Sequence, residues 1–299
     1  MWFKNFQLYR LSLPFDLNIE QLNQKLENFA FAPCNGGDLQ SEGWLSPREN
    51  DLLAHQLGSH FLLMFGVEKK LLPASVINQV TKARALELEA QQGFPPGRKA
   101  IKDLKERVRE ELLPRAFSIL RTTRVWIDSK NGWLVIDTPS ASKADEVLKG
   151  LLKSHSFALS ALKVNVSPQT AMTEWLASEC PPKGFTLDQN TELRSSTDDK
   201  AAVRYVNHSV DSKEVQRHIE GGKRCTKLAL TWNDRISFSL TDALVIKQVK
   251  ALELLAEKDK QMTNDADERL DADFVLMASE VSGLLDDLVF SLGGESQVK

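Results

Sequence analysis

Cysteine is scarce in this chain, and its placement excludes a good deal. Cys34, Cys180 and Cys225 are odd in number and widely separated, so neither a disulfide framework nor a CxxC metal or redox site is expected. Long apolar runs are missing as well. FLLMFGV, from Phe61 to Val67, is far too short to cross a bilayer. The opening MWFKNFQLYRLSLPF alternates like a strand. It lacks the apolar core and small-residue cleavage site of a signal peptide, so a cytoplasmic location without membrane contact is expected. Low-complexity segments and long linkers are also absent.

Catalytic signatures are equally thin. His55, His60, His155, His208 and His218 make no HExxH or comparable pair. EGGKRC lacks both the leading glycine at the required spacing and a Ser or Thr directly after Lys223, so a helix stop followed by a strand explains it better than a phosphate loop. Asp271 and Asp273 in LDADF point about 200° apart on a helix, which makes joint metal ligation awkward. They read as acids at a helix N-terminus. Nothing supports a nucleophile triad. Trp126, Trp133 and Trp232 sit in strand patterns and read as core or interface. The chain is therefore expected to be a non-enzyme without a cofactor. A metal-dependent DNA-processing enzyme and a plain oligomeric scaffold remain the alternatives.

What is present is ordinary in bulk and uneven in detail. The 299 residues are 42% hydrophobic and 26% charged, with a formal net charge of −3. Residues 200–250 hold ten Lys and Arg against five Asp and Glu, a local +5. From residue 251 onward, twelve acids face four bases, a local −8. That asymmetry carries more information than the total.

Periodicity gives a strand over 2–12 and then a helix marked by Ile19, Leu22, Leu26 and Phe29. Strands follow at Gly43–Leu45 and near HFLLMFGVEKKLL. A helix starts by Pro73 and Ser75 and stops at Gly93. GFPPG is a tip that no single helix can run through, and a second helix covers about 98–113. The two make a projecting helical hairpin. Asn131–Gly132 between apolar runs signals a β-hairpin. SKADEVLKGLLKS reads as an amphipathic helix and SFALSALKV as a strand. Beyond residue 184, strands near 185–195 and 201–210 precede a helix in DSKEVQRHIE. A hairpin over GGKRCTKLALTWNDRISFSL and a strand near 243–250 follow, and a long helix ending in paired glycines closes the chain. The fold class is α+β, with antiparallel sheets.

Two basic regions stand out. On the second helix of the hairpin, at 100° per residue, Arg98, Lys102, Lys105 and Arg109 fall within roughly 60° of one another. Ile101, Leu104, Val108 and Leu112 flank them, while Asp103, Glu106 and Glu110 lie beyond. A cation row of this kind suits a polyanion, although a solvated helix face is the plain alternative. Arg115, just past the helix, joins this set. In GGKRCTKLALTW, alternation places Lys223 and Lys227 on one face, with Leu228, Leu230 and Trp232 opposite and Arg224 at that face's edge. AAVRYVNHSV adds Arg204 and His208 from one face and Asn207 from its turn-prone end. These groups donate well to phosphate oxygens. With no aromatic platform and no base-reading module, duplex backbone contact without sequence preference is expected.

Beyond these patterns, MWFKNFQLYRLS, FAPC, LLPRAFS, WIDSKNGWLVID, TEWL, HIEGGKRCTKLAL and LDADFVLMASE…LGGE occur in that order from residue 1 to about 295. In this the chain resembles the RdgC family of bacterial recombination-associated proteins. The resemblance implies a nucleoid-associated homodimer closed into a ring around double-stranded DNA, which restrains RecA-dependent recombination. It also implies a crescent subunit, with a centre of residues 1–73 and 114–167, a tip of 74–113 and a base of 168–299. Phe117 matches a family phenylalanine at the tip contact between subunits. Arg204 matches a family arginine. Asn207 and His208 stand where some relatives carry lysine and glutamine.

Overall fold

The computed structural model describes residues 2–13, 17–48, 52–155, 158–195, 201–208, 213–252 and 266–296. The expected strand end at residues 209–210 and helix start at 211–212 lie outside them. Every strand pairing among the described residues is antiparallel.

Residues 1–167 supply β1 (Gln7–Leu11), α1 (Ile19–Glu27), β2 (Gln40–Leu45), β3 (Ala54–Leu57) and β4 (His60–Lys70). Then come α2 (Ala74–Gln92), α3 (Arg98–Leu112), a 3-10 turn (Leu113–Arg115), β5 (Ser118–Asp128), β6 (Trp133–Ile136), α4 (Ala141–Ser154) and β7 (Leu159–Ala161). Their strands form one sheet in the order β2-β4-β5-β6-β1-β7, with β3 paired to β4. Strand β3 is an element that periodicity does not reveal, because AHQL offers only four residues and no alternation. Alternate residues of β4, such as Phe61, Leu63 and Phe65, face α1 and α4, while Leu62 faces the other way. Helix α4 sits so close that a Cβ on Gly150 would meet the Phe65 ring at 2.5 Å.

Two local features fix this half. Gly93 ends α2 at φ 79°, donating its N–H to the Glu89 carbonyl at 2.8 Å, as a left-handed helix cap does. The β5–β6 hairpin forms as expected, but its loop is four residues long rather than two. The wholly buried Asp128 carboxylate accepts from the backbone of Lys130 and Asn131, both at 3.1 Å, and from Asn131 Nδ2 at 2.8 Å. A carboxylate that collects loop donors in this way replaces the tight-turn geometry.

The rest of the chain gives α5 (Pro168–Ser178), β8 (Phe185–Ser195), β9 (Ala202–Tyr205) and α6 (Lys213–Glu220). After them come β10 (Lys223–Trp232), β11 (Ile236–Thr241), β12 (Ile246–Ala251) and α7 (Ala266–Ser291). The second sheet runs β12-β11-β10-β8-β9. Helix α5 is a further element that periodicity leaves out. Its signal is Ser167, which caps the Thr170 N–H at 3.1 Å and precedes a proline at the first helical position.

Helix α7 joins the two sheets. Its stripe Phe274, Met277, Ala278, Val281, Leu284, Leu285 and Leu288 is buried in one core with Leu62, Trp126 and Trp133 of the first sheet and Leu228, Leu230 and Trp232 of the second. The three tryptophans are therefore core, as expected. The acids of this helix are ties as well as charge. Asp271 is held by Arg48 and by His55 Nε2 at 2.8 Å, and Ser282 donates to Asp128 at 3.3 Å. Glu280 pairs with Arg235 at 2.9 Å, and Asp287 accepts from Trp232 Nε1 at 2.8 Å. Asp286 accepts from Trp133 Nε1 at 3.4 Å, and burial pushes its carboxyl above the usual range. Asp271 thus lies past the first turn, where Asp267 and Glu268 sit, and works as a clamp on the first sheet.

Candidate nucleic-acid interface

Strand β10 is the axis of the second sheet, and its register decides which cations share a face. Cys225 opposes Leu193 and Lys227 opposes Glu192, so two β10 steps match one β8 step and Thr226 forms a β-bulge. The extra residue inverts the alternation. Cys225 then joins Leu228 and Leu230 in the core, which puts Lys223 on the core side and Lys227 on the outer side. Arg224, opposite Arg194, shares the outer face with Lys227. The expected pairing of Lys223 with Lys227 is corrected: the bulge exchanges Lys223 for Arg224. EGGKRC is, as expected, a helix stop at Glu220 and a strand start at Lys223.

A second inversion separates Arg204 from His208. Arg204 opposes Glu192 on the outer face. Asn207 has φ 52°, its N–H donating to Asn190 Oδ1 at 3.1 Å, so the chain turns there. The His208 ring lies 5.2 Å from that of Tyr205, which opposes Thr191 on the core side and also neighbours His218 of α6. His208 therefore leaves the Arg204 face.

The outer face can be read strand by strand, because directly opposed residues point the same way. Ala229 opposes Ser239, Thr231 opposes Ser237, and Lys247 and Lys250 oppose Ser239 and Ser237 on β12. Small side chains thus form a floor, with hollows of about 430 and 220 Å³ opening on it. Among the described residues, Lys4, Arg194, Arg204, Arg224, Lys227, Lys247 and Lys250 stand around the floor, seven cations against the two carboxylates Asp188 and Glu192, a net of +5.

The ion pairs are specific. Glu192 accepts from Arg194 at 2.8 Å and from Arg204 at 2.6 Å. The hydrogen bond from Arg204, reinforced by Arg194, holds its carboxyl below the usual range despite burial. Lys227 Nζ donates to Gln248 Oε1 at 3.0 Å. Burial lowers the Lys227 pKa from its ordinary value, and the nearby charges of Lys247 and Arg204 lower it further. Glu192, Arg194, Lys247 and Lys250 carry no signal of this role in the sequence. Only the register of four strands brings them together.

The hairpin carries the other basic region. Helix α3 packs on α2 and the 3-10 turn, with Val108 its buried residue. Arg98, Lys102, Lys105 and Arg109 share one edge of it, as helical spacing requires. Arg109 reaches Glu106 at 3.7 Å, which counters the row at that position, and Arg84 of α2 pairs with Glu111 of α3 at 2.7 Å, tying the two helices together. Arg115 is exposed in the 3-10 turn. Phe117 is 85% exposed beside the partly exposed Leu71, Ile119 and Leu120. Its carbonyl accepts the Leu71 N–H at 2.6 Å.

Among the described residues, no group of three or more His, Cys, Asp or Glu is arranged to hold a metal ion, and no helix is long and apolar enough to cross a membrane.

The molecule is an antiparallel α+β protein whose second sheet presents a cation-rimmed face in an otherwise acidic chain. The family model described as "Putative exonuclease, RdgC" matches residues 1–295. Proteins called recombination-associated protein RdgC are similar throughout. The one from Cupriavidus pinatubonensis is 54% identical over 296 residues, 99% of each chain. Those from Herminiimonas arsenicoxydans and Bordetella pertussis are each 54% identical, over 300 and 299 residues and 100% of each chain. The chain belongs to the RdgC family.

Proposed function

We propose that this chain binds double-stranded DNA through phosphate contacts, without sequence preference and without catalysis, as a ring-shaped homodimer that restrains RecA-dependent recombination at the nucleoid. The observation that carries the reading is the outer face of the second sheet, where, among the described residues, seven cations and two carboxylates stand over a floor of small side chains. Such a surface lets a sugar-phosphate backbone approach closely and offers it charge-assisted donors. The relatives' name places them in recombination, which suits a DNA partner. In the ring, the hairpin of 74–113 is the tip, with residues 1–73 and 114–167 the centre and 168–299 the base of a crescent subunit. Closure needs two separate self-complementary patches per subunit. Phe117 and its apolar neighbours supply the one at the tip. Arg98, Lys102, Lys105, Arg109 and Arg115 then extend the positive lining beyond the sheet, whereas Lys223 and His208 lie off its outer face and Asn207 serves as the turn at its margin.

Anisotropy titrations with unrelated duplexes at low salt test this. Equal affinities are expected, and the absence of binding would overturn the reading. The family model's description, exonuclease, motivates one further assay. Incubation of end-labelled duplex with Mg²⁺ or Mn²⁺ should leave it intact, and progressive shortening abolished by a chelator would establish the enzyme reading instead.

A further inference from the structure

We propose that Glu192 is a positioning residue of the DNA face, which holds the guanidinium groups of Arg194 and Arg204 edge-on so that their free edges meet phosphate. The proposal rests on the duplex-binding reading and deepens it.

The carboxylate is 9% exposed, whereas the side chains of Arg194 and Arg204 are 58% and 70% exposed. Oε2 accepts from Arg204 Nε at 3.0 Å and Nη2 at 2.6 Å. Oε1 accepts from Arg194 Nε at 2.8 Å, with Nη2 of that residue also at 2.8 Å. Thr226, brought over Glu192 by the bulge, places its Oγ1 3.4 Å from Oε1 and donates to the Glu192 carbonyl at 3.3 Å. Each guanidinium thus spends its Nε–Nη2 edge on the carboxylate, and Nη1 takes no part in these contacts. A guanidinium presents five N–H donors in a rigid plane, so one edge anchored inward leaves another directed outward. An unanchored arginine gives up rotamer freedom when it grips a phosphate. Here that freedom is already spent in the folded protein.

The competing account makes Glu192 a counter-charge that only weakens the face. The two accounts differ in sign. Removing a negative charge from a DNA-binding surface tightens binding if charge alone matters. It loosens binding if the carboxylate sets geometry.

The experiment is fluorescence anisotropy of a labelled duplex against wild type, Glu192→Gln and Arg204→Lys across a salt series, with a thermal melt of each variant. Arg204→Lys keeps the charge, loses the fork and sits on the surface, so it remains informative should the buried substitution unfold. Glu192→Gln is expected to weaken binding about tenfold and to flatten the salt slope by about 0.9 for each phosphate that is no longer neutralised. Arg204→Lys should weaken binding by a smaller factor, because Arg194 stays anchored and the charge is kept, and the double variant should be no weaker than Glu192→Gln. Wild-type binding with Glu192→Gln equal or tighter, or with Arg204→Lys unchanged, overturns the positioning role and leaves the duplex reading standing. Failure of the wild type to bind overturns the duplex reading itself.

Discussion

Lys223 and Lys227 lie four residues apart on one strand, and reversing each to Glu asks which face DNA uses. Strict alternation makes the two equivalent, but the bulge at Thr226 puts them on opposite faces. If Lys227 neutralises one phosphate, that contact contributes a slope of about −0.9, or roughly eightfold in affinity between 1 M and 0.1 M salt. A two-fold dimer carries the change twice, so Lys227→Glu should weaken binding by about 60-fold at 0.1 M and flatten the slope by about 1.8. Lys223→Glu acts from the far side of the sheet, about one Debye length away at that salt, and should cost less than about threefold. The assay is anisotropy on three duplexes of unrelated sequence from low to moderate salt. Equal losses for the two variants would refute the face assignment. A Lys227→Glu loss confined to one duplex would refute backbone binding.

Phe117→Ala should raise the dimer dissociation constant by roughly tenfold or more, given about 1.5–3 kcal/mol for burying such a side chain. Sedimentation would show this, with the melting of the subunit unchanged; an unaltered dimer would remove Phe117 from the interface. Leu285→Ala, in the wholly buried stripe of α7, should cost about 2–5 kcal/mol in urea unfolding, and a value below about 1 kcal/mol would mean that α7 does not hold the sheets together. Lys227 titrates below its ordinary 10.5 because burial, Lys247 and Arg204 disfavour its charge. The folded state therefore binds its proton less readily than the unfolded chain. Stability gains from this group as pH rises through the window between the lowered value and 10.5. DNA affinity moves the other way over the same window, because the ammonium loses its proton. Lys227→Arg should flatten that decline, and an identical pH profile would show that Lys227 does not meet phosphate.

Much of this architecture is legible in the order of residues alone. Gly93 and the prolines of GFPPG delimit the hairpin, Asn131–Gly132 marks the β5–β6 reversal, and the apolar spacing over 274–288 announces α7. Each is a local signal, fixed by backbone sterics or by a single burial stripe. The cation face is less legible because its geometry is non-local. Alternation along β10 misplaces Lys223 because a bulge depends on the partner strand β8, and the left-handed Asn207 turns His208 away from Arg204. Glu192 reads as one more acid within a strand until its neighbours on β9 and β10 are known. The acids of α7, counted as a charge imbalance, prove to be ties to Arg48, His55, Trp232 and Arg235.

Encirclement is tested most directly by loading the protein on a covalently closed plasmid and on the same plasmid linearised, then washing at a salt concentration that breaks phosphate contacts. Dimer mass is followed in parallel. A closed ring stays on the circle and runs off the free ends of the linear form. Equal loss from both, with the dimer intact, would contradict a ring around DNA.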